Sequence, residues 1–148
     1  MGRWFNSLMV AMLVSIGLAI GVTGPASAGN FTEYTADKFQ KMQADGDKPI
    51  LVFVNANWCP ICAKERPIVA KLIGATVGSK HFEGDPDLTA MECLFIDFDA
   101  HPNDWRTFHV TEQSTLIVFR GNTEVGRAVG MTDPADIKAL LMKAMAKG

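Results

Sequence analysis

The stretch that decides the fold is ILVFVNANWCPIC, residues 50–62. It opens with a continuous apolar run, Ile50–Val54, rich in β-branched residues, which is typical of a strand buried on both faces. Two cysteines separated by two residues, Cys59 and Cys62, follow directly. The sequence therefore predicts a central strand that delivers a pair of thiols to the beginning of a helix.

The position of the pair gives the two cysteines different chemistry. A thiol at a helix N-terminus faces unpaired backbone N–H groups and the positive end of the helix dipole. Both stabilise a thiolate over a thiol, so we expect Cys59 to be a nucleophile. Cys62 lies one turn further along, sheltered but close enough to resolve a mixed disulfide. Pro60 fits the first turn, where its missing N–H costs little.

A CxxC pair on its own has other interpretations. A closed zinc site needs about four ligands, and the remaining candidates are scattered over different predicted elements: Cys93, His81, His101 and His109. A purely structural disulfide would close so small a loop that it restrains the unfolded chain little. Redox chemistry is therefore favoured, Cys93 is expected to be an inert core thiol, and no cofactor is expected.

Strands and helices alternate along the rest of the chain. We predict strands at 31–34, 49–55, 93–98 and 116–119, a hairpin partner at 124–129, and helices at 35–44, 59–77, 102–108 and from Pro134 onward, with a loop at 78–90. This order predicts an α/β domain in which helices cover both faces of a central mixed β-sheet.

The stretch at 50–62, including the tryptophan before the first cysteine, resembles the active-site strand and loop of the thioredoxins. Pro67 matches the family's kinking proline in the active-site helix, and residues 115–130 resemble its second half. The resemblance covers residues 31–147. It implies the thioredoxin fold and a protein-disulfide oxidoreductase with a redox-active Cys59–Cys62 disulfide, in which Cys59 is the nucleophile and Cys62 the resolving cysteine.

One departure from the family pattern lies in the central strand. Typical thioredoxins carry a buried aspartate at the position of Phe53, where it accepts the proton of the resolving cysteine. Phe53 cannot titrate, so the proton of Cys62 needs another route. Glu65, one turn along from Ile61, and water are the candidates for this proton relay.

A second departure is Ser114, which replaces the family's cis-proline. A cis bond before a residue other than proline costs about 3–4 kcal/mol. We therefore expect the Gln113–Ser114 bond to be trans unless its surroundings enforce the cis form. The resemblance implies that this loop faces the cysteines, so the Ser114 hydroxyl should lie near Cys59 and hydrogen-bond its thiolate. Alternatively, Ser114 has no functional role and is a substitution that the loop tolerates.

The expected substrate groove surrounds the cysteine pair. The residues expected to shape it are Trp58, Pro60, Ile61, Gln113, Ser114 and Thr115. The resemblance also implies that losing the proline opens room beside the sulfurs for a metal ion, and two soft thiolates suit Cu(I). A copper carrier that uses Cys59 and Cys62 as metal ligands is therefore the alternative function.

Residues 1–28 have the pattern of a secretory signal peptide. Arg3 precedes an apolar run of about 13 residues, Leu8–Ile20, and small residues occupy Ala26–Ala28. Because about 20 apolar residues are needed to span a bilayer, cleavage after Ala28 is favoured over an uncleaved anchor. Residues 29–148 are then expected to form one monomeric thioredoxin-like domain in the periplasm or another extracytoplasmic compartment.

Composition limits the partners. The 148 residues carry a formal net charge of −2, so nothing favours nucleic acid. The expected partners are exported protein substrates with cysteines and a membrane electron-transfer partner. The loop at 78–90 cannot hold the large helical insertion of periplasmic oxidases of this superfamily. The short loop favours a reductase or isomerase over an oxidase.

Overall fold

Strand β2 (Pro49–Asn55) lies at the centre of the sheet and determines where the cysteine pair sits. The computed structural model describes residues 31–146, so the predicted signal peptide lies outside the described residues. Within that range, no helix has both the length and the apolar character needed to cross a membrane. The other elements are β1 (Phe31–Glu33), α1 (Ala36–Ala44), α2 (Pro60–Ile73), β3 (Thr76–Val77), β4 (Lys80–His81), β5 (Glu92–Asp97), α3 (Pro102–Thr107), β6 (Thr115–Arg120), β7 (Thr123–Val129) and α4 (Pro134–Met142).

The main sheet has five strands in the order β1–β5–β2–β6–β7. β2 pairs in parallel with β5 and antiparallel with β6, while β1 is parallel to β5 and β7 is antiparallel to β6. The sheet is therefore mixed. Side chains of α2 and α4 pack on one face, and those of α1 and α3 pack on the other. This arrangement confirms the predicted fold class.

Alternate residues of β2 supply both halves of the core. Leu51 and Phe53 join the cluster under α2 and α4, whereas Ile50, Val52 and Val54 join the cluster under α1 and α3. All five side chains are fully buried. The unbroken apolar run is thus explained, because a strand covered on both faces has no position for a solvated side chain.

Phe53 is a core residue, as its apolar character predicts. Its ring lies 6.2 Å from that of Phe31 on β1 and 6.3 Å from that of Phe95 on β5, centroid to centroid. These are ordinary distances for tilted and edge-to-face aromatic pairs. The strand therefore contributes packing at this position and no titratable group.

Helix α2 is shorter than predicted. It begins at Pro60, behind the N-cap Cys59, and ends at Ile73, because Gly74 adopts a left-handed conformation with φ of 76°. Residues 76–81, expected to continue the helix and then form a loop, instead make the two-stranded β3–β4 sheet. The predicted helix of 59–77 is therefore wrong at its C-terminal end.

Truncating Phe53 tests the packing of the central strand. We expect Phe53→Ala to lower the free energy of unfolding by about 3–5 kcal/mol, because it leaves a cavity between two strands and two helices. Phe53→Leu is the matched control, which keeps most of the volume and should cost about 1–2 kcal/mol. Urea unfolding followed by circular dichroism measures both; an equal, small loss in the two variants would contradict this packing.

Candidate active site

Cys59 is held at the N-terminus of α2 by its own backbone. It is the N-cap residue, and its Sγ accepts a hydrogen bond of 3.2 Å from the backbone N–H of Cys62. Its carbonyl accepts from the N–H of Ala63, which closes the first turn of the helix. Cys59 and Cys62 are free thiols in this structure. The predicted placement of the pair at a helix N-terminus is thus the observed one.

Cys62 is the more sheltered thiol, with no exposed surface. Burial raises its pKa, and the hydrogen bond with Cys59 raises it further. The backbone of Ala56 and, to a smaller extent, the Ser114 side chain act in the opposite direction and lower the pKa of Cys62. Since desolvation dominates, Cys62 holds its proton firmly and needs help to become a nucleophile.

The loop before β6 presents Ser114 to the cysteine pair in an unusual backbone conformation. No peptide bond among the described residues is cis, so Gln113–Ser114 is trans, as the cost of the alternative predicts. Ser114 has a φ of 59°, in the left-handed region that residues other than glycine rarely adopt. Its carbonyl accepts a hydrogen bond of 2.8 Å from the N–H of Gly130, which ties the loop to the end of β7.

Glu65 is buried in the same place and is the partner of Ser114. The Ser114 hydroxyl donates to Glu65 Oε2 at 2.6 Å, while Glu65 Oε1 has no hydrogen-bond partner among the described residues. Burial raises the pKa of Glu65 from 4.5 to about 7, and the hydrogen bond from Ser114 lowers it only in part. The Ser114 hydroxyl thus bonds Glu65, and the predicted hydrogen bond to Cys59 is not formed.

The outer rim of the site is apolar and exposed. Trp58 is 62% exposed, and its indole Nε1 donates to Asp99 Oδ2 at 2.7 Å, which fixes the ring beside the cysteines. Ile61 and Val129 are the other exposed large apolar side chains of the described chain. Sequence reasoning missed Asp99 and Val129, since only the fold brings the ends of β5 and β7 to this loop.

The remaining predicted groove residues occupy different positions. Pro60 is exposed at the start of α2, and Gln113 is partly exposed beside Ser114. Thr115 is buried, and its hydroxyl donates to the carbonyl of Glu112 at 2.6 Å. Thr115 therefore stabilises the loop from inside instead of lining a surface.

A second polar pair lies behind the site and was not predicted. Arg66 donates to Asn55 Oδ1 at 2.5 Å, and its guanidinium lies 5.8 Å from the centre of the Phe95 ring. Asn55 is fully buried at the end of β2, so this bond links the central strand to α2 close to the cysteines. It directs the cation of Arg66 toward the sheet.

Metal-binding groups are few around the thiols. Residues 31–146 contain no cluster of three or more His, Cys, Asp or Glu side chains placed to hold a metal ion. Cys93 is buried in β5, where burial raises the pKa of its thiol well above the ordinary value. A metal ion at this site would therefore depend on Cys59 and Cys62 alone.

A dithiol at the N-terminus of the helix that follows the central strand of a mixed sheet defines a class of domains that exchange thiols for disulfides. Residues 30–143 match the family model described as Thioredoxin. A thioredoxin of Mycolicibacterium smegmatis is 30% identical over 111 residues, which cover 75% of this chain and 91% of that protein. The chain belongs to the thioredoxin family and is a protein-disulfide oxidoreductase, an enzyme acting on proteins that contain cysteines.

Solved structures agree with this assignment. Trxlp from Edwardsiella tarda is 30% identical with a TM-score of 0.65, covering 75% of this chain and 97% of that one. A mutant thioredoxin from Halobacterium salinarum is 20% identical with a TM-score of 0.63, covering 86% of this chain and 99% of that one. The second likeness concerns the fold alone. The predicted family and fold are both confirmed.

Glu65 predicts an unusual dependence of stability on pH. Because the pKa of Glu65 rises from 4.5 to about 7 on folding, the folded protein binds this proton more tightly than the unfolded chain does. The free energy of unfolding should therefore fall as pH rises from about 5 to 7, by up to about 3 kcal/mol from this group, and level off above that. Urea unfolding between pH 5 and 8 measures the slope.

Glu65→Gln should remove that slope, because the amide has no proton to lose. Glu83→Gln is the matched control, since Glu83 is an exposed carboxylate outside the site and should leave the slope unchanged. Parallel curves for the wild type and Glu65→Gln would show that Glu65 does not titrate in this range.

Proposed function

We propose that this chain is an exported thiol–disulfide oxidoreductase that works as a reductase or isomerase, with Cys59 as the attacking thiol and Cys62 as the resolving thiol. The observation that carries the proposal is the hydrogen bond from the Cys62 N–H to Cys59 Sγ at the start of α2. A backbone donor and the helix dipole act on the same sulfur, and both favour its thiolate.

The two thiols divide the reaction between them. The Cys59 thiolate attacks a substrate disulfide, forms a mixed disulfide and releases one substrate thiolate, which takes a proton from solvent. Cys62 then attacks Cys59 Sγ, releases the second substrate sulfur and leaves a Cys59–Cys62 disulfide. The substrate gains the two electrons that the dithiol loses, so a further reductant must restore the dithiol. A membrane electron-transfer partner is the proposed source.

Two features support the reducing direction. Between α2 and β5 the chain carries only the two-residue strands β3 and β4 with their flanking turns, and no helical insertion. Pro60 and Ile61 offer no charged or hydrogen-bonding side chain to stabilise the reduced form strongly. A dithiol that is not strongly stabilised gives up its electrons more readily.

The exposed apolar rim is evidence that the substrates are proteins. Trp58, Ile61 and Val129 form an apolar margin around the thiols, suited to an extended segment with apolar side chains flanking its cysteine. A net charge of −2 adds no strong preference for charged partners. We propose that the domain acts as a monomer, because the rim must stay open for substrate.

Trapping tests the roles of the cysteines and export together. In Cys62→Ala, the Cys59 mixed disulfide has no resolving thiol, so substrates should accumulate as covalent adducts of the protein in the native host. We expect these adducts in the extracytoplasmic fraction, and a reductant should cleave them. The protein released should have the intact mass of a chain that starts at Gly29.

Cys59→Ala is the matched control, which should trap far fewer adducts because the remaining thiol is buried. Equal trapping by the two variants would overturn the assigned roles. Adducts on an unprocessed chain in the cytoplasm would overturn export while leaving the exchange chemistry intact.

Redox potential tests the direction. Equilibration with glutathione buffers should give a potential nearer the about −270 mV of reducing domains than the about −120 mV of strong oxidases. Ile61→His should shift the potential to a more oxidising value, since an imidazolium beside Cys59 stabilises the thiolate of the reduced form. A wild-type potential near −120 mV would contradict the proposed direction.

A further inference from the structure

The resolving step needs a base that the central strand does not supply. Cys62 has no exposed surface, and burial raises the pKa of its thiol, so the sulfur cannot simply lose its proton to bulk water. Phe53 faces only other apolar groups. The proton must therefore leave through a polar group buried beside Cys62.

Two buried polar side chains meet beside that thiol. Ser114 is 2% exposed and Glu65 is fully buried, and the Ser114 hydroxyl donates to Glu65 Oε2 at 2.6 Å. Cys62 lies three positions before Glu65 on α2, so the two buried side chains are neighbours on one face of the helix, and Ser114 is close enough to lower the pKa of the Cys62 thiol. Because a hydroxyl carries one donor and two acceptor positions, Ser114 can accept from the thiol while it donates to the carboxylate.

The backbone of Ser114 is itself strained. A φ of 59° is unfavourable for a residue with a Cβ, and strain of this kind is concentrated at functional sites. Glycine would avoid the cost but would offer no hydroxyl. The carbonyl of Ser114 is fixed by the N–H of Gly130, so the loop holds the hydroxyl in place against Glu65.

The surroundings of Glu65 leave this route open. The titratable neighbour on its own helix is Cys62, three positions earlier, and the loop before β6 contributes Ser114. Arg66, the next residue on α2, is bonded to Asn55 and lies against Phe95. No charged side chain of the described chain contributes to the pKa of Glu65, which burial raises to about 7.

We propose that Ser114 and Glu65 form a proton relay that deprotonates Cys62 in the resolving step. The proposal rests on the proposed function, and it assigns to a helix residue and a loop residue the task for which the central strand has no group. Glu65 acts through Ser114 and does not touch the reacting sulfurs, so it is a positioning residue for the proton rather than a catalytic residue.

The step balances as a single transfer along the relay. The Cys62 proton passes to Ser114 Oγ while the Ser114 proton passes to Glu65 Oε2, which leaves a thiolate and a neutral carboxylic acid. The thiolate attacks Cys59 Sγ, the Cys59–Cys62 bond forms, and the bond from Cys59 to the substrate breaks. The substrate sulfur leaves with the electron pair and takes a proton from solvent.

The same relay serves the return of the enzyme to its dithiol form. When a reductant thiolate opens the disulfide at Cys59, Cys62 leaves as a thiolate in a site with no exposed surface. The proton held on Glu65 can then pass back through Ser114 to that sulfur. Neither direction requires a lasting negative charge on both Cys62 and Glu65, which a buried site would disfavour.

Single-turnover kinetics with dithiobis-nitrobenzoate as the disulfide separates the two steps. The first release of thionitrobenzoate reports attack by Cys59, and the second reports resolution by Cys62; Cys62→Ala identifies the second phase by its loss. In the wild type we expect the second rate to rise with pH through about 7, since ionised Glu65 is the form that accepts a proton.

Glu65→Gln should keep the first phase within about two-fold of wild type and slow the second by about 100-fold at pH 7, at the lower end of what a positioned base contributes. Its second rate should also lose the inflection near 7 and rise only where the thiol itself ionises. Ser114→Ala should slow the second phase likewise, because it interrupts the relay. Glu83→Gln is the exposed carboxylate control and should match wild type.

A second phase in Glu65→Gln with the wild-type rate and inflection would overturn the proposal. So would Ser114→Ala at the wild-type rate, which would remove the hydroxyl from the route, or equal slowing in Glu83→Gln. Absence of the first phase in the wild type would instead overturn the proposed function itself.

Discussion

The site depends on the burial of β2 between β5 and β6. From Ile50 to Asn55 every side chain of this strand is fully buried, so its register and its end point are fixed from both sides. The chain can emerge only at the carboxyl end of the strand, where the cysteine loop follows at once. β6 pairs Thr115 with Val54, which puts Ser114 just beyond that same end. The thiols and the serine loop therefore meet because one strand holds both neighbours in place.

The buried carboxyl group that typical thioredoxins carry on the central strand has a counterpart here at a different position. Phe53 completes the aromatic packing of the sheet, and the only fully buried carboxylate of the described chain is Glu65, on α2 instead of the strand. A buried carboxyl group is costly unless it is hydrogen-bonded. Ser114 supplies that bond, which a proline at the same position could not. The three residues therefore depend on one another: Phe53 leaves the strand without an acid, Glu65 supplies a buried carboxyl group from the helix, and Ser114 hydrogen-bonds that group.

The sequence predicts well whatever is local. The apolar run of β2 and the cysteine spacing each carry their signal within a few residues. The prediction of where α2 ends was wrong, because residues 75–77 are compatible with a helix and only the left-handed conformation of Gly74 ends it at Ile73.

The contact between Ser114 and Glu65 joins residues 49 apart in the chain, and helical spacing could make Glu65 a candidate but could not choose its partner. That choice depends on the register of β6 and on one positive φ, neither of which leaves a mark in a single sequence. The site thus combines an outer rim that is apolar and solvent-exposed with an inner polar pair that is buried. Rim side chains are free to change without disturbing the core, whereas Ser114 and Glu65 are fixed by the strand register and by the packing around α2. Substitutions at the rim should therefore change which substrates bind, while proton transfer from Cys62 depends on the fold itself.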